Sequence, residues 1–253
     1  MKQYDYNKLA KYYDVFEADA EISYSKSNLF INSILKKYKV KTLLDFTCGT
    51  GAQAIYLSKH YDVVANDLSR DMLKIAKTKA RAQRAKIKFT QRDIRYAKFG
   101  KFDAVITIFN AIGHLDENQF DVALENIRNN LKKGGIYIFD IFNLDFIKAQ
   151  GALGYKFLDV STETQGLRFA RFNHNSLDSR KGIFKISQET WIQKGFEKPM
   201  VREDKWDMKI YSANDLNQLL KKNKFKVLRM YGGWGKKLDK HKCLSIVVVA
   251  QKQ

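Results

Sequence analysis

The sequence predicts an α/β chain: a doubly wound, mainly parallel sheet of seven strands with helices on both faces, and an antiparallel sheet inserted late in the chain. Three observations predict it. Strand-like and helix-like segments alternate through the first 142 of the 253 residues. The first strand runs into the glycine-containing turn Cys48-Gly49-Thr50-Gly51. After Asp145 the alternation gives way to strand-like segments. Alternating βα units argue a parallel sheet whose ligands sit at the carboxyl ends of the strands.

In order, residues 25–38 carry Leu29, Phe30, Ile34 and Leu35 at helical spacing and predict an amphipathic helix. Strand 41–46 leads to helix 51–59, strand 62–66 to helix 70–82, and strand 86–91 to a loop. Strand 102–108, helix 117–131 and strand 135–142 follow. Segments 155–160, 166–175, 182–192 and 200–211 are strand-like, with one helix around Phe146, and Asp178 to Gly182 reads as a hairpin loop. Helix 213–224 and strands 225–230 and 244–250 close the chain. The expected division is residues 1–145 with 211–253 as the main domain, and 146–210 as an inserted antiparallel lid over the substrate.

Composition sets the outer limits. At 45% hydrophobic the chain can build one full core plus a smaller layer. The first residues lack the apolar run of a signal peptide and no segment approaches a bilayer span, so the expected location is the cytoplasm, with no membrane partner. Cys48 and Cys243 are far apart and show no metal spacing, so neither a disulfide framework nor a metal site is implied. The net charge of +19 suits an anionic partner, RNA included. Its strongest cluster, Arg70, Lys74, Lys77, Arg81 and Arg84, has the spacing of one helix face and reads first as a solvated surface, with no recognisable RNA-binding module beside it.

The chemistry is concentrated where Leu43-Leu44-Asp45 enters the turn and where the next strand ends at Asp67. Gly49 and Gly51 let backbone approach a ligand, and an acidic residue ending the second strand is placed to accept from two ribose hydroxyls. Two enzyme classes use this arrangement. Gly49-Thr50-Gly51-Ala52-Gln53-Ala54 fits the loose dinucleotide pattern of oxidoreductases. Asp45-x-Thr47-x-Gly49-x-Gly51 resembles more closely the class I S-adenosylmethionine-dependent methyltransferases. Four further segments resemble that family in order: Asp67 to Leu73, Gln91 to Ile94, Phe102 to Thr107, and Leu131 to Asp140. The likeness is strong over residues 4–145, moderate from Tyr211 onward and weak between.

The resemblance implies a Rossmann-like methyltransferase fold, S-adenosylmethionine as cofactor, and specific residue roles. Asp67 would accept from the ribose, Leu68 and Met72 would pack on the adenine, and Asp93 with the Ile94 backbone would meet its amino edge. Gly49 and Gly51 would face the methionine portion, whose ammonium Asp45 would hold. Asn110, at the end of the fourth strand, joins this cofactor set. Tyr4-Asp5-Tyr6 and Tyr12-Tyr13-Asp14 resemble the segment that folds over the cofactor in small-molecule methyltransferases, with Tyr12 or Tyr13 closing the pocket. The family usually has glycine where this chain has Thr47, so Thr47 is expected to keep a β-like or bridge backbone while Gly49 and Gly51 take the special angles.

For the reaction, His114 in Phe109-Asn110-Ala111-Ile112-Gly113-His114 is the candidate catalytic residue, with a loop-stabilising hydrogen bond as the alternative. The same loop lacks the Asn/Asp-Pro-Pro-aromatic run of enzymes that methylate base amino groups, which disfavours adenine or cytosine as acceptor. Arg168, Arg171, His174, Trp191 and Trp206 of the inserted strands could contact an acceptor, or form a plain sheet surface or a homodimer contact. The expected function is methyl transfer to nitrogen or oxygen of a small molecule, with glycine and aminosugar N-methyltransferases as the architectural comparison. An RNA methyltransferase or a catalytically silent nucleotide-binding protein are the alternatives.

Overall fold

A computed structural model describes residues 1–7, 10–16, 20–150, 154–164 and 166–253. The N-terminal segment passes through the turn Ala10–Tyr12 into α1 (Tyr13–Phe16), followed by α2 (Ala20–Lys37). The βα alternation then runs β1 (Thr42–Asp45), α3 (Ala52–Leu57), β2 (Asp62–Asp67), α4 (Arg70–Ala82), β3 (Lys88–Gln91), β4 (Phe102–Thr107), α5 (Glu117–Asn130) and β5 (Leu131–Phe142). After α6 (Leu144–Gln150) come β6 (Lys156–Thr164), β7 (Leu167–Asp178), β8 (Ile183–Lys194) and β9 (Met200–Lys209). The chain ends with α7 (Ala213–Lys222), β10 (Phe225–Gly232), β11 (Lys236–Lys237) and β12 (Ser245–Lys252).

The central sheet has the order β11-β10-β12-β5-β4-β1-β2-β3. Seven of its strands are those predicted; the eighth, β11, is a two-residue edge strand too short to leave a periodic signal. β1 pairs in parallel with both β2 and β4, so the strand order reverses at β1, and a crevice opens beyond the carboxyl ends of these strands. β12 runs antiparallel between β5 and β10.

Period-two alternation sends neighbouring residues to opposite faces and so builds two cores. Leu44, Phe46 and Val105 join Phe120, Ile127 and Leu220 beneath α5 and α7. Leu43, Ala104 and Ile106 join Ile31, Leu35, Leu57 and Leu73 beneath α2, α3 and α4. α4 begins at Ser69, whose side chain accepts from the Met72 N–H, and buries Met72, Leu73, Ala76 and Ala80 at helical spacing. α5 opens with a capping box between Asp116 and Gln119. No helix among the described residues is long and apolar enough to cross a membrane.

The second sheet, order β6-β7-β8-β9, is antiparallel throughout and lies within residues 146–210. Phe184, Ile186 and Met208 pack with Leu144 and Ile147 of α6 to seat it on the main domain. The N-terminal segment joins the β9 edge of this sheet: the Lys2 N–H donates to Asp207 Oδ2 at 2.9 Å, and the Asp207 N–H to the Lys2 carbonyl at 2.8 Å.

Candidate active site

β1 ends at Asp45, and the chain turns through Thr47 and Cys48 before α3. Gly49 (φ 52°) and Gly51 (φ 86°) take the left-handed conformations, and Thr47 is not among the residues with positive φ. Asp67, ending β2, braces this turn: its Oδ2 accepts the Gly49 N–H at 2.7 Å and its Oδ1 the Ser69 N–H at 2.8 Å. Burial raises the Asp67 carboxyl above its ordinary value, against the lowering effect of these backbone donors.

A cavity of about 350 Å3 lies over the turn, bordered by Thr47, Gly49, Asp67, Leu68, Met72, Asp93, Ile94 and His114. Leu68 is 66% exposed and Met72 2%, so the first is an open flank and the second a floor. Gly51 does not border it; a Cβ there would meet Ala76 Cβ at 3.1 Å, which makes Gly51 a packing residue against α4. Asp93 borders the cavity but is engaged by Arg95, whose Nε and Nη2 grip both carboxylate oxygens at 3.0 and 2.5 Å. That fork holds the Asp93 carboxyl below its ordinary value.

Asp45 lies behind the turn rather than on the cavity wall, 2% exposed. Burial pushes its carboxyl up to about 8, the Thr47 N–H lowers it and nearby Asp67 raises it further. Its Oδ2 has no partner among the described residues, and neither do Thr47 Oγ1 and Gln53 Nε2, both of which belong to residues on the wall. One acceptor and two donors without partners around one turn fit a group that carries both an ammonium and a carboxylate. Gln53 and Arg95 had no signal in the sequence reading, because an amide and a guanidinium on a surface-like stretch look the same whether or not they face a ligand.

A second cavity of about 580 Å3 opens between the main domain and the antiparallel sheet. Its walls include Phe142, Phe146, Phe157 and Trp206, with Asn173, Asn175 and Gln188 on the sheet side. Arg171 and Asp159, both on the wall, pair with each other at 2.6 Å. Asn110, expected to join the cofactor set, lines this second cavity and not the first. Oδ1 of Asn110, Asn173 and Asn175 are buried without partners among the described residues.

Tyr4, Tyr6, Tyr13, Met72 and Phe109 border both cavities and mark where the two adjoin. Tyr12 borders neither; its ring packs edge-on against Phe169 of β7 at 5.5 Å. Of the two adjacent tyrosines, Tyr13 therefore faces the site. His114 borders the first cavity only, and its Nε2 lies 2.7 Å from the Tyr6 hydroxyl. Burial pulls His114 down to about 4, so it is neutral at pH 7, and its Nδ1 has no partner among the described residues.

With this geometry in place, comparison with known proteins shows what the chain is similar to. Residues 43–135 match the model of a methyltransferase domain, over the span that contains the turn, Asp67, Asp93 and His114. A crystal structure of an S-adenosylmethionine-dependent methyltransferase from Clostridium acetobutylicum superposes with a TM-score of 0.82 over 98% of both chains, at 23% identity. The shared fold extends through the rest of the chain, inserted sheet included. Among curated proteins, human glycine N-methyltransferase is 26% identical over 167 residues, covering 59% of this chain and 57% of that protein. A Streptomyces fradiae dTDP-3-amino-3,6-dideoxy-alpha-D-glucopyranose N,N-dimethyltransferase is 28% identical over 182 residues, covering 69% of this chain and 68% of that one. The chain thus spans little more than half the length of the glycine enzyme it matches.

Proposed function

We propose that the chain transfers a methyl group from S-adenosylmethionine to nitrogen or oxygen of a small molecule held under the antiparallel sheet. The observation that carries this reading is the shared wall: a cofactor-sized cavity at the strand ends adjoins a larger aromatic cavity, with Tyr4, Tyr6, Tyr13, Met72 and Phe109 common to both. S-adenosylmethionine, when bound, supplies an electrophilic methyl on a sulfonium. Asp67 would hold its ribose, Leu68, Met72 and Ile94 its base, and Asp93 the amino edge of that base with the lone pairs Arg95 leaves open. Thr47 and Gln53 would donate to its carboxylate, while Asp45, behind the turn and off the cavity wall, would act on its ammonium through an intervening water, the cation favouring the ionised form of a carboxyl otherwise pushed up to about 8.

Displacement at a sulfonium needs alignment above all, and alignment is worth roughly 7–11 kcal/mol of barrier. The two cavities would bring the reactants together where Tyr4, Tyr6, Tyr13, Met72 and Phe109 border both. His114 is too weak a base at about pH 4 to take up a proton fully at pH 7; its stronger role is to hold the Tyr6 hydroxyl at the junction, 2.7 Å away. In the larger cavity Arg171 is paired with Asp159, while three asparagine oxygens await donors. That balance favours an acceptor rich in N–H and O–H groups.

The test is transfer of labelled methyl from S-adenosylmethionine into a cell extract separated into small-molecule, RNA and protein fractions. Label in the small-molecule fraction supports the reading; label confined to RNA or protein overturns it. Binding of the cofactor without transfer to any fraction would leave a silent binding protein.

A further inference from the structure

The strand end that carries the partition between the cavities is strained. Phe109 (φ 63°) and Asn110 (φ 56°) follow β4 and both take the left-handed backbone conformation, although neither is glycine. A side chain with a Cβ disfavours this conformation, and an aromatic one is a marked outlier. Strain of this kind persists only where the surroundings over-determine it.

Here the determinant is a single carboxylate on the next strand. Asp140, on β5 and 4% exposed, accepts the Phe109 N–H through Oδ1 at 2.6 Å and the Asn110 N–H through Oδ2 at 3.3 Å. Both oxygens are thus engaged by the two strained residues. What those residues do next is functional in position: Phe109 borders both cavities, and Asn110 lines the larger one with Oδ1 unpartnered. The Phe109 ring packs edge-on at 5.1 Å against Tyr24, which also borders the smaller cavity.

We propose that Asp140 is a positioning residue for methyl transfer: its carboxylate clamps the Phe109–Asn110 corner so that Phe109 partitions the cavities and Asn110 Oδ1 meets an N–H or O–H of the acceptor. The clamp acts on the acceptor side. Asp140 borders neither cavity, so it touches neither reactant and works only through the corner. This rests on the functional reading above, but the clamp itself can be tested without turnover.

The variant is Asp140→Asn, which keeps the shape while replacing one acceptor oxygen by an NH2 that opposes the facing N–H. Hydrogen exchange resolved to single amides should show protection of Phe109 and Asn110 falling at least about tenfold, with β4 and β5 amides unchanged. S-adenosylmethionine affinity, read by calorimetry, should stay within about twofold. Acceptor kcat/KM should fall roughly tenfold or more with KM raised, the acceptor being glycine or the dTDP-linked 3-amino-3,6-dideoxyglucose, whichever the wild type methylates. A merely structural loss would move both reactants alike. If Asp140→Asn does not fold, adding Asn110→Gly, which relieves the φ strain, should recover folded protein while the acceptor KM stays high. Unchanged protection at Phe109 and Asn110 overturns the clamp. Lost protection with unchanged acceptor kinetics overturns the positioning role. A wild type that methylates neither amine counts against the functional reading, and the exchange result then still decides the clamp.

Discussion

Gly49→Ala and Gly51→Ala should separate ligand contact from folding, because the two glycines share a backbone conformation and differ in what a methyl would meet. At φ 52° and 86° an alanine pays the left-handed cost, roughly 1–2 kcal/mol at either site. A Cβ on Gly49 has nothing within 4 Å, and the open space it enters is the smaller cavity. A Cβ on Gly51 meets Ala76 Cβ at 3.1 Å and Ile55 Cδ1 at 3.3 Å, so it adds an overpacking cost of about 1–3 kcal/mol. Gly49→Ala should therefore lower Tm by only a few degrees, at ~2–4 °C per kcal/mol for a chain of this size, whereas Gly51→Ala should lower it by about twice as much. Affinity for S-adenosylmethionine should run the other way per unit of stability lost: at least a tenfold loss in Gly49→Ala, and in Gly51→Ala a loss explained by its lower stability. Differential scanning calorimetry and isothermal titration on the same preparations read both quantities. Gly49→Ala binding the cofactor as tightly as wild type would refute the placement of the ligand over this turn.

Other variants test the same geometry. Asp67→Ala removes charge-assisted bonds to two backbone N–H groups as well as the ribose acceptor, so it should lose about 2–5 kcal/mol of stability along with cofactor affinity, while Asp67→Asn keeps part of the brace; urea titration of both variants checks the difference. Stability should fall as pH rises from about 4.5 to 8, because two raised carboxyls outweigh one depressed imidazole. His114, pulled down to about 4, contributes stability fully present above its unfolded value of 6.5 and lost as pH falls toward 4, by about 3 kcal/mol at most. Asp45 and Asp140, pushed up to about 8 and about 7, act in the opposite sense, their contribution being lost as pH rises from about 4 through those values. Chemical denaturation across pH 4.5–9 should show this fall, and His114→Phe should steepen it below pH 6.5, where the imidazole no longer opposes the carboxyls. Tyr6→Phe deletes the hydroxyl that meets His114 and should lower kcat several-fold while leaving cofactor affinity and the fold within experimental error; a fall in affinity instead would place Tyr6 on the cofactor side alone.

The parts of the fold governed by local periodicity were legible in the sequence. β1, β2 and β4 are apolar runs because they are buried on both faces, and the four strands of the second sheet announce themselves by alternation and by the turn before Ile183. The boundaries slipped where tertiary pairing overrides propensity. β5 starts at Leu131, not 135, because Leu131 pairs with Phe102 across the sheet, and Lys132 to Gly135 carry no apolar signal of their own. α2 begins at Ala20, five residues before the amphipathic stripe becomes readable. Near the cavity, Asp67 ends β2 and Asp93 follows β3, positions that the alternation of strands and loops makes readable. Asp140 lies inside β5, and its purpose depends on the left-handed corner opposite, a conformation that nothing in Phe109-Asn110 as letters reveals. Tyr12 and Tyr13 are equivalent in sequence, and only the packing of Tyr12 on Phe169 decides which ring faces the ligands.

The same distinction explains the division of labour in the molecule. The groups that would grip the cofactor grow out of the parallel sheet, whose strands are locked by ladders and two apolar cores. The wall between the reactants comes largely from the N-terminal segment, which is anchored at separated points by polar contacts. Lys2 joins Asp207 on the antiparallel sheet, Asn7 Oδ1 accepts from the Ser69 hydroxyl at 2.8 Å at the start of α4, and Asp14 accepts from the Thr50 hydroxyl at 2.7 Å and from Lys79 at 3.0 Å. The Lys79–Asp14 pair is about one-third exposed on each side, and such pairs contribute only ~0–1 kcal/mol. The buried ladders are far stronger in sum, so the cost of parting the segment from the domain is much smaller than the cost of disturbing the turn beneath it. A methyl transfer site needs both properties: a rigid cradle that fixes the sulfonium, and a cover that can be released at low cost to admit one reactant and discharge the other.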